Sequence, residues 1–309
     1  VAGSADTAAG RKLDPRIVSG ADYGNPDPEW QRIDWRAARR RVRLPGAEVN
    51  YVELGEGEPI LFVHGISGSW QNWLENLPHL ARTNRVIAID LPGFGSSPMP
   101  EWEIDMPAYG RLLHDFCEEV GIEGATVVGN SMGGFIAVEA VTSMPGRFER
   151  LVLVSAAGIL NTWNPQLRAT VTAWGWNRFG PHFAQRGREI VSRPRLRELV
   201  FRPFVRYPQR LREDLLLEQI EGGLERADGF GDALQALIVH DIRERLAAIA
   251  MPTMIVWGLS DQVIPVAAAI SYHRRIPDSR LEIFERTGHV PQLERPLRFN
   301  GLLDDFLAE

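Results

Sequence analysis

Residues 125–134 read Ala-Thr-Val-Val-Gly-Asn-Ser-Met-Gly-Gly, and this stretch decides the fold. Ala125 to Val128 is a short apolar strand, and Gly133 to Ser143 carries the composition of a helix. Between them Gly129-Asn130-Ser131-Met132-Gly133 forms a G-x-S-x-G turn from strand to helix. A serine at that tip must take a strained backbone conformation to lift its hydroxyl above the sheet. Side chains two positions before and after it would collide, so Gly129 and Gly133 are required. An ordinary glycine-rich turn is the plain alternative, and the strand–turn–helix context speaks against it.

Working outward, strands and helices alternate. Val49 to Leu54, Pro59 to Val63, Arg85 to Asp90, Leu151 to Ser155, Thr253 to Trp257 and Leu281 to Phe284 read as strands. Trp70 to Leu80 reads as a helix. A second helix starts at Asp105-Met106-Pro107, and a last one starts near Pro296. Arg36, Arg39, Arg40, Arg41 and Arg43 accompany Val42 and Leu44 in alternation, which gives a solvated first strand. Apolar strands separated by helices specify an α/β fold with a mostly parallel, doubly wound sheet covered on both faces. The alternation stops between residues 159 and 250, where helices and loops rich in Arg and aromatics predict an inserted helical cap. The expected domains are a core at 35–158 and 251–309, a cap at 159–250, and an N-terminal arm or disordered tail at 1–34.

Composition narrows the function. The 309 residues carry 34 basic and 40 acidic side chains, a net charge of −6, which argues against nucleic acid as a partner. Cys117 is the single cysteine, so neither an intrachain disulfide nor a Cys-based metal site is available, and no metal is expected. Lys12 is the single lysine, which excludes a Schiff-base lysine or a phosphate loop ending in lysine within the folded body. No apolar run reaches the length needed to cross a bilayer, and no intact leader is visible; stable membrane insertion is not expected, and a cytoplasmic location is. Gly93-Phe94-Gly95 follows a strand, but position 98 is proline and no helix starts there, so no dinucleotide site and no cofactor is expected. Oligomeric state is not legible.

A serine hydroxyl needs a base to become a nucleophile. His289, in Thr287-Gly288-His289-Val290-Pro291 after the last strand, is the candidate. His64 is assigned a structural place under the loop that follows its strand, and His79, His114, His182, His240 and His273 are read as structural or solvated. Asp261, just after the strand Thr253 to Trp257, is the carboxylate expected to orient the base, with Asp241 as fallback. A developing oxyanion needs two N–H donors: Met132, at a helix start, and Ile66, with Ser67 as second choice, in His64-Gly65-Ile66-Ser67-Gly68.

Taken together, these features resemble the serine-nucleophile branch of the α/β-hydrolase superfamily over roughly residues 45–309. The carriers are His64-Gly65 with Trp70 and Trp73, Asp90-Leu91-Pro92-Gly93-Phe94-Gly95-Ser96-Ser97, the turn at Ser131, Asp261 after a strand, and Gly288-His289. The resemblance implies Ser131, Asp261 and His289 as catalytic triad, Ile66 and Met132 as oxyanion donors, and a cap over the site. Ser131 in place of aspartate argues against dehalogenases and epoxide hydrolases. Gly129 to Gly134 is similar to carbon–carbon bond hydrolases, yet Val290 stands where they carry Trp, and Ile66-Ser67 replaces a glycine-rich loop.

The expected activity is hydrolysis of a small-molecule carboxylic ester with small to medium apolar parts. Carbon–carbon (vinylogous diketone) hydrolysis and perhydrolysis are the alternatives, and a ligand-binding receptor is the non-enzymatic one. Ser67, Asn130, Trp163, Trp174, Trp176 and Val290 are the expected substrate contacts.

Overall fold

A computed structural model describes residues 14–20, 22–159, 186–224 and 227–309. Nine strands form one sheet: β1 (Arg16–Val18), β2 (Arg39–Leu44), β3 (Ala47–Leu54), β4 (Glu58–Val63), β5 (Asn84–Ile89), β6 (Ala125–Asn130), β7 (Phe148–Val154), β8 (Thr253–Gly258) and β9 (Ser279–Phe284). Their spatial order is β1-β9-β8-β7-β6-β4-β5-β3-β2. The pairs β2–β3 and β3–β5 are antiparallel and the others parallel. The expected mostly parallel sheet is therefore present.

Alternate residues of one strand feed opposite faces. Leu61 and Val63 join one core cluster, and Ile60 and Phe62 join the other. The first face is covered by α3 (Met106–Val120), α4 (Met132–Ser143) and α9 (Ala267–Arg275), and the second by α2 (Leu77–Leu80) and α11 (Pro296–Leu307). Met132 to Val141 is buried on every side, as a helix without a polar stripe must be.

Two expectations are corrected. The helix over Trp70 to Leu80 is two pieces, a 3-10 turn at Trp70–Trp73 and α2 at Leu77–Leu80. Pro78 lacks an N–H and would clash with the carbonyl one turn back, but it fits the first turn of a new helix. The described part of the arm, residues 14–20 and 22–34, is packed on the core. Residues 16–18 add β1 to the sheet edge beside β9, and Trp30 is buried with its indole N–H on Glu75. Arg36 falls in α1 (Trp35–Ala38), so the arginine-flanked strand starts three residues later.

The described part of the cap holds α5 (Gly187–Ser192), α6 (Pro194–Phe201), α7 (Glu213–Leu224) and α8 (Phe230–Val239), with no strand among its described residues. Ile190, Val191, Phe201, Val205, Leu211, Leu216 and Ile220 give it a small core of its own. Parallel strands β4, β6, β8 and β9 end at one edge of the sheet, and the loops that follow them carry every candidate site residue outside the cap.

Candidate active site

Ser131 is the turn between β6 and α4, with φ 55° and ψ −115°. A left-handed backbone at a non-glycine residue costs roughly 1–3 kcal/mol and persists only where neighbours hold it. Here they do. The Ser131 N–H donates to the Val154 carbonyl at 2.9 Å. Its carbonyl accepts from Gly134 at 3.1 Å, Phe135 at 3.2 Å and Ala157 at 2.9 Å.

Both elbow glycines are required, for reasons that differ. A Cβ at Gly129 would lie 2.3 Å from the Gly133 carbonyl oxygen, the expected collision across the turn. A Cβ at Gly133 would instead lie 2.1 Å from the Val63 carbonyl oxygen, at the end of the neighbouring strand β4. That second constraint depends on sheet order, which the pentapeptide does not carry.

His289 follows β9 and meets Asp261, which follows β8. The imidazole Nδ1 lies 2.9 Å from Asp261 Oδ2, and both side chains are almost wholly buried. The other oxygen, Oδ1, accepts the N–H groups of Val263 at 2.8 Å and Ile264 at 2.9 Å. One carboxylate thus fixes its own loop and the ring. Because the carboxylate accepts, Nδ1 carries the proton and Nε2 is the basic nitrogen. The fallback Asp241 is paired with Arg243.

His64 sits under the next loop. Its Nε2 accepts from the Leu91 N–H at 2.9 Å, so the proton is on Nδ1, which faces the Gly65 carbonyl at 2.7 Å. Burial lowers its pKa to about 4, so it stays neutral and structural, as expected. His79, His114, His240 and His273 are likewise engaged with Asp304, the Ala140 carbonyl, the Ala236 carbonyl and Ser279.

The loop at 64–68 closes a turn through Gly68 N–H to Gly65 C=O at 3.0 Å, with Ser67 at φ 59°. A Cβ at Gly65 would stand 3.1 Å from the Ser131 Cβ, so this loop passes directly beside the elbow. Met132 opens α4, where the first N–H groups have no acceptor within the helix. Anchoring comes from Asp90, whose carboxylate accepts from the Trp70 and Ser96 N–H groups and the Asn50 amide. Burial raises its pKa to about 6, against those three donors.

Ser131 and His289 line one cavity of about 210 Å³, together with Ile66, Ser67, Asn130 and Val290. Phe201, Phe204, Leu215, Leu216 and Phe230 are among its apolar wall, and among the described lining residues none is Asp, Glu, Lys or Arg. Four of the described cap arginines are paired away from it: Arg186 and Arg193 with Glu189, Arg197 with Glu213 and Arg202 with Glu198. Asn130 lines the cavity, but its amide donates to the carbonyls of Val154 at 3.0 Å and His289 at 3.4 Å, tying the elbow to the histidine loop. Trp163, Trp174 and Trp176 lie outside the described residues. No group of three or more His, Cys, Asp or Glu is placed to hold a metal ion among the described residues. No described helix is long and apolar enough to cross a membrane.

Sequence reasoning missed Asn72 and Gln219, which line the cavity and bond to each other, the Asn72 amide donating to Gln219 Oε1 at 2.6 Å. Gln219 also donates to the Gln71 carbonyl at 2.9 Å. The available signal was Gly222-Gly223 inside an otherwise helical run. A Cβ at Gly223 would lie 2.2 Å from the Ser67 carbonyl oxygen, so α7 rests on the loop beside Ser131.

A family model of the α/β-hydrolase fold matches residues 58–296. This chain belongs to the α/β-hydrolase family. Among relatives of this hydrolase, a dihydrolipoyllysine-residue acetyltransferase component of an acetoin cleaving system from Cupriavidus necator is 32% identical over 93% of this chain and 74% of that protein. A 2-hydroxymuconate semialdehyde hydrolase from a Pseudomonas species is 31% identical over 87% of this chain and 94% of its own length. A solved meta-cleavage product hydrolase from Pseudomonas fluorescens superposes with a TM-score of 0.71 at 25% identity, covering 87% and 97% of the two chains.

Proposed function

We propose that Ser131, His289 and Asp261 form a catalytic triad that hydrolyses the carboxylic ester of an apolar substrate through an acyl-enzyme. The observation that carries this is His289, held by the buried Asp261, lining the same cavity as the strained Ser131. His289 Nε2 takes the Ser131 proton as the hydroxyl oxygen attacks the ester carbonyl. The N–H groups of Met132 and Ile66 hold the resulting oxyanion. The imidazolium, held by Asp261, then gives its proton to the leaving alcohol. Water activated by the same imidazole releases the acyl group and restores the serine. A cavity wall without charged side chains among the described residues suits a neutral acyl or alcohol part.

A second reading has its own support. Two of the proteins this chain resembles, a 2-hydroxymuconate semialdehyde hydrolase and a meta-cleavage product hydrolase, are named for substrates that are not esters, which favours the carbon–carbon alternative. Against it stand Val290 beside the histidine and the lack of a described cation for a dienoate carboxylate. Parallel turnover of a p-nitrophenyl ester series and a 2-hydroxy-6-oxodienoate decides between them. The ester reading expects kcat/KM at least about tenfold higher for the best ester, a difference of ~1.4 kcal/mol in transition-state stabilisation. The reverse order transfers the assignment to the carbon–carbon bond.

A further inference from the structure

Glu294 is wholly buried five residues after His289, and everything around its carboxylate donates. The Tyr23 hydroxyl donates to Oε2 at 2.5 Å, and the Arg206 N–H donates to the same oxygen at 2.7 Å. The Gly288 N–H donates to Oε1 at 2.7 Å. The Tyr23 oxygen in turn accepts from the Tyr207 N–H at 2.9 Å, and the Gly24 N–H donates to the Glu294 carbonyl at 2.7 Å. One carboxylate therefore joins three segments: the arm at 23–24, the cap at 206–207 and the loop that carries His289.

The same three segments meet again around the histidine. The His289 N–H donates to the Phe204 carbonyl at 2.7 Å. A Cβ at Gly288 would lie 2.6 Å from that oxygen, so cap and loop are in backbone contact. On the arm side, the Val18 carbonyl accepts from Glu285 at 3.2 Å, and Asp22 pairs with the buried Arg295 at 2.8 Å. The loop at 285–295 is thus gripped on both sides of His289 by parts of the chain that touch no reacting atom.

We infer that Tyr23 and Glu294 are positioning residues for His289, with the arm acting as a strap that latches the cap onto the histidine loop. The inference rests on the triad proposed above. Burial opposes the Glu294 charge and raises its pKa to about 7, while the donors from Tyr23, Arg206, Gly288 and Val290 pull it back. Arg295 and Asp22 are the charged neighbours on the arm side. Losing the Tyr23 hydroxyl leaves a buried carboxylate oxygen and the Tyr207 N–H short of a partner, a costly state that the loop relieves by moving. Displacement of a catalytic group by about 1 Å can cost on the order of 100-fold in rate.

The test uses the full chain with Glu294→Gln and Tyr23→Phe. Two readouts are taken beside a thermal melt: kcat and KM on the best ester, and the low-field proton resonance of His289 Nδ1–H. The expected result is a kcat lowered about 10- to 100-fold with KM within about threefold, and a broadened or shifted Nδ1–H signal. Should Glu294→Gln fail to fold, Tyr23→Phe, which removes one oxygen atom, carries the test alone. An unchanged Nδ1–H signal overturns the inference, whether kcat is unchanged or has fallen with the melt. Ser131→Ala separates the two proposals. If it keeps wild-type turnover, the triad itself fails. If it is inactive while both latch variants keep wild-type kcat and signal, only the strap fails.

Discussion

The elbow at Ser131 and the loop at His289 hold two halves of one site by different means. Backbone bonds to β7, to Ala157 just after it and to the first turn of α4 pin Ser131, at distances of 2.9–3.2 Å. Side chains and cap backbone pin the histidine loop, including a bond between residues 271 positions apart. A backbone-held element is broken by adding atoms, because its glycines have no room for a Cβ. A side-chain-held element is broken by removing single polar atoms, because each leaves a buried partner unsatisfied. The elbow should therefore fail through sterics and chemistry, and the loop through polar deletions that spare the fold.

The largest effect tests the chemistry of the elbow alone. Ser131→Ala is expected to lower kcat on an aryl ester by about 10⁶-fold, with the melt little changed because the Cβ and the backbone strain remain. Stopped-flow assay for an acylation burst checks it. Next comes the side-chain grip on the ring. Asp261→Asn is expected to cost about 10⁴-fold in kcat, because an amide in that place favours the wrong imidazole tautomer. Turnover and the Nδ1–H resonance, measured together, decide whether geometry or tautomer is lost.

Third is a steric test of the cap seam. Gly223→Ala puts a Cβ 2.2 Å from the Ser67 carbonyl oxygen and must displace either α7 or the loop beside Ser131. If the Ile66 N–H moves away from the oxyanion, kcat falls by about 10²–10³, or ~2.7–4 kcal/mol. Affinity for an aryl boronic acid should fall in parallel; equal losses in substrate and boronate binding would point to a blocked cavity instead.

The smallest effect concerns pH. Burial raises the Glu294 pKa from 4.5 to about 7, so the folded state binds this proton more tightly than the unfolded chain. Its contribution to stability is full below pH 4.5 and is lost as pH rises through 7. Glu294→Gln removes that slope. The variant's stability relative to wild type should rise between pH 4.5 and pH 7, by up to ~3 kcal/mol. Chemical denaturation at several pH values measures the difference, and a flat difference shows that Glu294 is not buried as a carboxylate.

The same contrast explains what the sequence could disclose. Ser131, Asp261 and His289 could be nominated from sequence because each sits just past an apolar strand, where a parallel sheet collects its functional loops. The structure brings His289 to Asp261, and His289 lines the same cavity as Ser131. The break at Pro78 was visible as a residue but was overridden by the apolar pattern around it. Tyr23 and Glu294 were not legible, because their partnership depends on an arm without periodicity crossing to the far end of the chain. Asn130, expected as a substrate contact, lines the cavity, and its amide also serves two backbone carbonyls that no sequence pattern announces. The requirement for Gly133 arises from β4, a neighbour in space and not in sequence.

The most direct check is covalent titration with a fluorophosphonate, followed by mass mapping of the labelled peptide. One equivalent of label on Ser131, with labelling slowed at least about a thousandfold by His289→Ala, is what the account predicts. Label on another residue, or undiminished labelling without the imidazole, would contradict it.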